Sequence, residues 1–108
     1  MKYKILETWK PAAIGYGADV WLMEEITREN VIKLFKKLSK DKDPVVIRVH
    51  STKESFKKMK KRKNDKKGYI AYCIRNFTYA RFEYGTNEIR WMQEKGELSS
   101  LFGKVEKL

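Results

Sequence analysis

Val31, Leu34, Phe35 and Leu38 recur at i, i+3, i+4 and i+7, the spacing that lays a single apolar stripe along a helix. Arg28, Lys33, Lys36, Lys37 and Lys40 fall mostly off that stripe. A helix so patterned must bury its stripe against a partner, and the stretches on both sides of it are rich in strand formers. The spacing predicts a helix over 28–40, with Thr27 as its N-cap. The lysines near its end suit the negative pole of the helix dipole. Upstream, residues 2–9 (KYKILETW) and 18–24 (ADVWLME) read as strands by their β-branched and aromatic content. Pro11 and Gly15-Tyr16-Gly17 mark the connection between them, since proline stops a strand and glycines signal a bend.

Downstream, Asp41-Lys42-Asp43-Pro44 breaks the helix and residues 45–50 (VVIRVH) read as a further strand. Ser51 and Glu54 form an S-x-x-E capping box, which opens a second helix. That helix has only Phe56 and Met59 as apolar anchors, so the segment beyond Met59 is expected to fray into a solvated, flexible tip. Residues 69–75 (YIAYCIR) form the next strand. Residues 78–84 and 88–93 are expected to pair as a hairpin about Gly85-Thr86-Asn87. A register with Tyr84 opposite Ile89, Glu83 opposite Arg90 and Phe82 opposite Trp91 matches apolar, ionic and aromatic partners. Residues 97–102 (ELSSLF) suggest a short helix ended by Gly103, and the tail KVEKL is expected to fray. The order strand, helix, strand, helix, strand suggests adjacent crossover units. The expected fold class is α+β: two-layer, a mixed five- or six-stranded sheet with two helices on one face, in one domain over 1–108.

Charge is distributed unevenly. Residues 51–67 (STKESFKKMKKRKNDKK) hold nine Lys/Arg against Glu54 and Asp65, a net +7 out of the chain's +11. The rest of the chain is close to neutral. A concentrated cationic segment favours polyanions: nucleic acid, or an acidic protein surface. Lysine outnumbers arginine 19 to 6. Lysine is a flexible point charge rather than a planar, bidentate reader, so such a segment contacts phosphates without reading bases. Lys57, Lys58, Lys60, Lys61, Arg62 and Lys63 are the candidates to carry affinity.

A second surface is the sheet face away from the helices. If Val45, Ile47 and Val49 face the core, then Val46, Arg48 and His50 face the other way. In the same alternation Tyr69, Ala71, Cys73 and Arg75 oppose Ile70, Tyr72 and Ile74, with the latter set facing the core. Tyr79, Arg81 and Glu83 oppose Ala80, Phe82 and Tyr84, and Arg90 opposes Ile89 and Trp91. Arg48, Arg75, Arg81 and Tyr79 are therefore the second tier of binding residues. Arginine and tyrosine on an open sheet suit single strands, whose bases stack on rings and guanidinium planes. The same alternation also describes an ordinary solvated sheet face, and Trp9 or Trp21 can fold over it.

No apolar run reaches the ~20 residues that span a bilayer, and no signal sequence is legible at the start. Cys73 is the only cysteine, which excludes an internal disulfide and argues against a cysteine-based zinc site. His50 is the only histidine, and no carboxylate pair accompanies it at ligand spacing. No P-loop, G-x-G-x-x-G, G-x-S-x-G or H-E-x-x-H is present, so no cofactor, metal or catalytic residue is assigned. The leading expectation is a small cytoplasmic, non-enzymatic accessory protein that contacts nucleic acid electrostatically. The alternative is a protein-interaction or homodimerisation module that uses an open sheet face or an edge strand. A third is a small basic metal-independent ribonuclease with His50, Arg48, Arg75, Arg81 and Tyr79 as its acid/base and phosphate-clamping groups. Its composition is similar to that of messenger-cleaving toxins, but the strand at 45–50 interrupts their order of elements.

Overall fold

A computed structural model of the protein describes residues 1–10, 16–40, 44–63, 65–85 and 87–108. The Pro11 and Gly15 signals, the Asp41-Lys42-Asp43 break and Thr86 lie outside the described residues, and so do the side chains of Lys40, Phe77, Thr78, Tyr79 and Tyr84. The chain runs β1 (Tyr3–Trp9), β2 (Gly17–Leu22), α1 (Arg28–Lys40), β3 (Val46–His50), α2 (Lys53–Lys60), β4 (Tyr69–Ile74), β5 (Phe77–Tyr79), β6 (Phe82–Tyr84), β7 (Glu88–Trp91) and β8 (Val105–Lys107). A 3-10 turn, Ser99–Leu101, precedes β8. One mixed sheet holds six strands in the order β1-β2-β3-β4-β7-β8, and β5 and β6 make a separate ribbon. Strands β2 and β3 are parallel, joined through α1, while the other sheet pairs are antiparallel. This is the expected α+β fold on a mixed sheet.

Helix α1 forms where its stripe predicts. Thr27 Oγ1 accepts the Asn30 N–H at 3.1 Å, satisfying a donor that the first turn leaves free. Val31, Leu34, Phe35 and Leu38 are all buried. They share one core with Ala18, Val20, Leu22, Ile47, Val49, Ala71, Cys73, Ile89 and Trp91. The pairings Ala18↔Ile47, Ile47↔Cys73 and Cys73↔Ile89 put those strand residues on a single face, which α1 covers.

The placement of both helices on one face holds for α1 alone. Helix α2 reaches the opposite face, where Ser55 Oγ lies 2.9 Å from His50 Nδ1 and the Phe56 ring meets the His50 ring edge-on at 6.0 Å. His50 is two residues from Arg48 and alternates with Val49, so this is the face turned away from α1. The alternation assigned to β4 is also inverted. Ala71 and Cys73 lie beneath α1, and Tyr72, paired with Arg48 and Arg90, lies on the far face. Bulk misleads here: Ile70, Tyr72 and Ile74 look like the core set, but the pairings Ile47↔Cys73 and Ala71↔Trp91 put the smaller residues on the face that α1 covers. A register shift at Val49/His50 leaves Ile70 as the extra residue, buried as well.

The C-terminal hairpin forms differently. Strands β5 and β6 pair as Phe77↔Tyr84, Thr78↔Glu83 and Tyr79↔Phe82, turning at Ala80 and Arg81, whose φ of 48° and 73° suit a tight two-residue hairpin. Strand β7 pairs instead with β4 and β8. Local pairing would have satisfied Glu83 and Phe82, but it would have left Ile89 and Trp91 outside the core that now buries them. The tail does not fray: β8 completes the sheet, and Arg28 Nε donates to Glu106 at 2.9 Å. Of the short helix expected at 97–102 only the 3-10 turn forms.

Candidate nucleic-acid interface

Helix α2 is capped one residue later than the S-x-x-E pattern suggests. Thr52 Oγ1 accepts the Ser55 N–H at 3.1 Å. Ser51 is taken up by the neighbouring loop, its N–H donating to Gly68 O at 2.9 Å. At the other end, Arg62 N–H donates to Met59 O and Lys63 N–H to Lys58 O, both at 2.9 Å. These two bonds, with Arg62 at φ 57°, form a Schellman motif. Such a position normally holds glycine, because a side chain in the left-handed region is strained. Arg62→Gly is therefore expected to raise stability by about 0.5–1 kcal/mol. Urea unfolding checks this, and an unchanged or lower value would rule the strain out.

The segment after Met59 does not fray as its lysines suggest. Asp65 Oδ1 accepts the N–H groups of Lys67 and Gly68 at 3.2 and 3.0 Å. Lys66 O accepts from Glu94 and Lys95, and Gln93 Nε2 donates to Lys67 O at 2.8 Å. Backbone bonds hold the described part of the loop against the end of β7, which compensates for its thin apolar content. A Cβ on Gly68 would press on Ser55 Cβ at 2.6 Å, so loop and helix touch through the missing side chain.

Beneath α2 lies a buried polar chain. Arg48 donates from Nε and Nη2 to the two oxygens of Asp19 at 2.8 and 2.7 Å. His50 Nε2 is 2.9 Å from Asp19 Oδ1, and a carboxylate only accepts, so Nε2 carries the proton there. Asp19, His50 and Ser55 are at most 1% exposed. Burial pushes the Asp19 carboxyl up, but the hydrogen bonds from His50 and Arg48 and the Arg48 charge outweigh it, leaving Asp19 below its ordinary value of 3.8. Trp9 crosses Gly17, where any Cβ would collide with the indole, and lies 4.7 Å from the Arg48 guanidinium. The order Asp19, His50, Ser55 has the connectivity of an acyl-transfer relay. Here the imidazole is wholly buried between Phe56 and Tyr69, both ring nitrogens are engaged, and Arg48 already neutralises the carboxylate. The chain acts as a brace tying α2 to β2 and β3.

Against this brace opens a cavity of about 280 Å³. Ser55 and Met59 from α2, Arg48 and Tyr69 from the sheet, and Arg62, Lys63 and Asp65 from the loop line it. Burial pushes the Tyr69 phenol above its ordinary value, so it remains an O–H donor. The same sheet face continues through the row Arg48↔Tyr72↔Arg90, with Arg90 Nη2 3.1 Å from Glu88.

The candidate residues therefore separate. Lys57, Lys61, Arg62 and Lys63 are exposed and have no carboxylate partner among the described residues. Lys60 is bound to Glu7 at 2.7 Å, and Lys58 lies 4.0 Å from Asp65. Arg48 joins the basic loop at the cavity. Arg75 follows β4 and contacts Asn76 O at 3.4 Å, and Arg81 sits in the β5–β6 turn, so neither is in the cavity wall. The side chain of Tyr79 is outside the described set. Cys73 is wholly buried and burial raises its thiol pKa. Asp19 and Ser55 were not legible as site residues, although a lone acid inside ADVWL is a signal, since a strand buries such a residue only with partners.

Among the described residues no group of three His, Cys, Asp or Glu side chains could hold a metal ion, and no helix is long and apolar enough to cross a membrane. No family model, no curated protein and no solved structure matches this chain.

Proposed function

We propose that the protein binds single-stranded nucleic acid where the end of α2 meets the sheet face opposite α1, as a non-enzymatic accessory protein of the cytoplasm. One observation carries this reading: the cavity unites Arg62 and Lys63, which have no carboxylate partner among the described residues, with Arg48 and Tyr69. Cations that are not neutralised by the protein attract phosphates, and rings beside them accept unstacked bases. Tyr72 and Arg90 extend the track along the sheet. The ribonuclease alternative would need His50 to reach a ribose, and the buried ring favours binding over cleavage. A dimer through an edge strand remains the competing reading, and light scattering after size exclusion would favour it if a salt-independent dimer elutes.

Lys57, Lys61, Arg62 and Lys63, without a carboxylate partner among the described residues, give an expected salt dependence. Neutralising about four phosphates of a single strand predicts a slope of log K against log salt of about −3. Fluorescence anisotropy with a short labelled single-stranded RNA measures it. Changing all four residues to glutamine is expected to flatten the slope towards zero. No binding at low salt, or binding indifferent to salt, rejects the proposal.

A further inference from the structure

We infer that the cavity at the end of α2 receives a terminal phosphate of the bound strand. This inference rests on the nucleic-acid reading above and makes it more specific.

Size sets the first limit. About 280 Å³ is near the small end of ligand pockets, which run from roughly 300 Å³ upward. That is room for one nucleotide unit and not for a run of stacked bases. Shape sets the second. The cavity ends against Ser55, which is 1% exposed, with His50 behind it at 2.9 Å. A continuous strand cannot pass through such a floor, whereas the end of a strand can enter.

Charge favours a monoester over a diester. Arg62 and Lys63 stand on the left-handed turn with no acidic partner among the described residues, and Arg48 gives only Nε and Nη2 to Asp19, leaving Nη1 uncommitted there. Asp65, the one acid in the lining, already has Oδ1 on two backbone N–H groups. A phosphate monoester brings close to two negative charges and three strong acceptor oxygens near neutral pH, against one charge for an internal diester. Arg62 and Lys63, converging on one pocket without an acidic partner among the described residues, reward the doubly charged group. The strain at Arg62, φ 57°, fits a residue whose side chain is used at a site.

The test compares three short single-stranded RNAs of one sequence: with a 5′-phosphate, with a 3′-phosphate and with neither. Anisotropy competition reads their relative affinities, with inorganic phosphate as a second competitor. One phosphorylated end is expected to bind about tenfold more tightly than the unphosphorylated strand, and inorganic phosphate is expected to erode that advantage. Arg62→Gln and Lys63→Gln should each lower the ratio of phosphorylated to unphosphorylated affinity, weakening the phosphorylated strand more than the unphosphorylated one; both sites are exposed, and circular dichroism confirms that the variants fold. Equal binding of all three RNAs overturns the terminal-phosphate site and leaves the nucleic-acid reading standing. A preference that survives both substitutions also overturns it, by placing the phosphate elsewhere. Failure of every RNA to bind overturns both.

Discussion

Replacing Asp19 by alanine is expected to lower the unfolding free energy by about 3 kcal/mol. Breaking a buried, hydrogen-bonded charge pair by deleting one partner costs about 3–5 kcal/mol, and the lower end applies because Arg48 keeps 30% of its side chain in water. The loss has a structural origin. Three donors, Nε and Nη2 of Arg48 and Nε2 of His50, lose their acceptor together, and His50 has no solvent to turn to. The brace that holds Ser55, and with it α2, is released at one end.

The pH dependence follows from the sign of the Asp19 shift. Its folded-state pKa lies below 3.8, so the unfolded chain takes up the proton first as pH falls. The Asp19 contribution is complete above the unfolded value and disappears as pH drops through the lower, folded value. The gap between wild type and Asp19→Asn should therefore be constant from neutral pH to about 5 and narrow below about 4. Urea titrations at stepped pH measure it. A gap under 1 kcal/mol at neutral pH, or one that ignores acid, would show that the carboxylate is not the keystone described.

Trp91→Ala should be the most damaging change in the core, at about 3–5 kcal/mol. Trp91 is the largest fully buried side chain and is 1% exposed. It anchors β7 to the core shared with α1. Its Nε1 has no hydrogen-bond partner among the described residues, however, and an unpaired buried donor carries a cost of about 1–3 kcal/mol. Trp91→Phe removes that donor while keeping a ring, so its net cost should be well under half that of alanine. Chemical denaturation of both variants tests the difference. Equal losses would mean that the indole nitrogen is satisfied in solution and that volume alone governs the site.

Legibility from sequence varied with the range of the interaction. The α1 stripe, its Thr27 cap and the strand runs around it were legible because their signals are local and periodic. The orientation of Arg48 away from α1 was legible for the same reason. The face of β4 was not, because Ala71 and Cys73 carry less bulk than Ile70, Tyr72 and Ile74, and pairing with β3 and β7 decides which set meets α1. The partner of β7 was not legible either. Its nearest neighbour in sequence offers good cross-strand pairs, and only the core formed by distant segments makes β4 and β8 the better ones.

The candidate site divides in the same way. Its positive charge is written in residues 51–67, and any fold would have to leave most of those lysines in water. Which of them remain available depends on contacts across the chain: Glu7 takes Lys60 from 53 residues away. The cavity requires more still. It exists because the left-handed turn at Arg62 and the bonds from Asp65, Lys66 and Lys67 hold a charged loop against the sheet, close to Arg48. Charge and periodicity are properties of a segment and belong to the sequence alone. Neutralisation, burial and convergence are relations between segments, and the packed chain decides them.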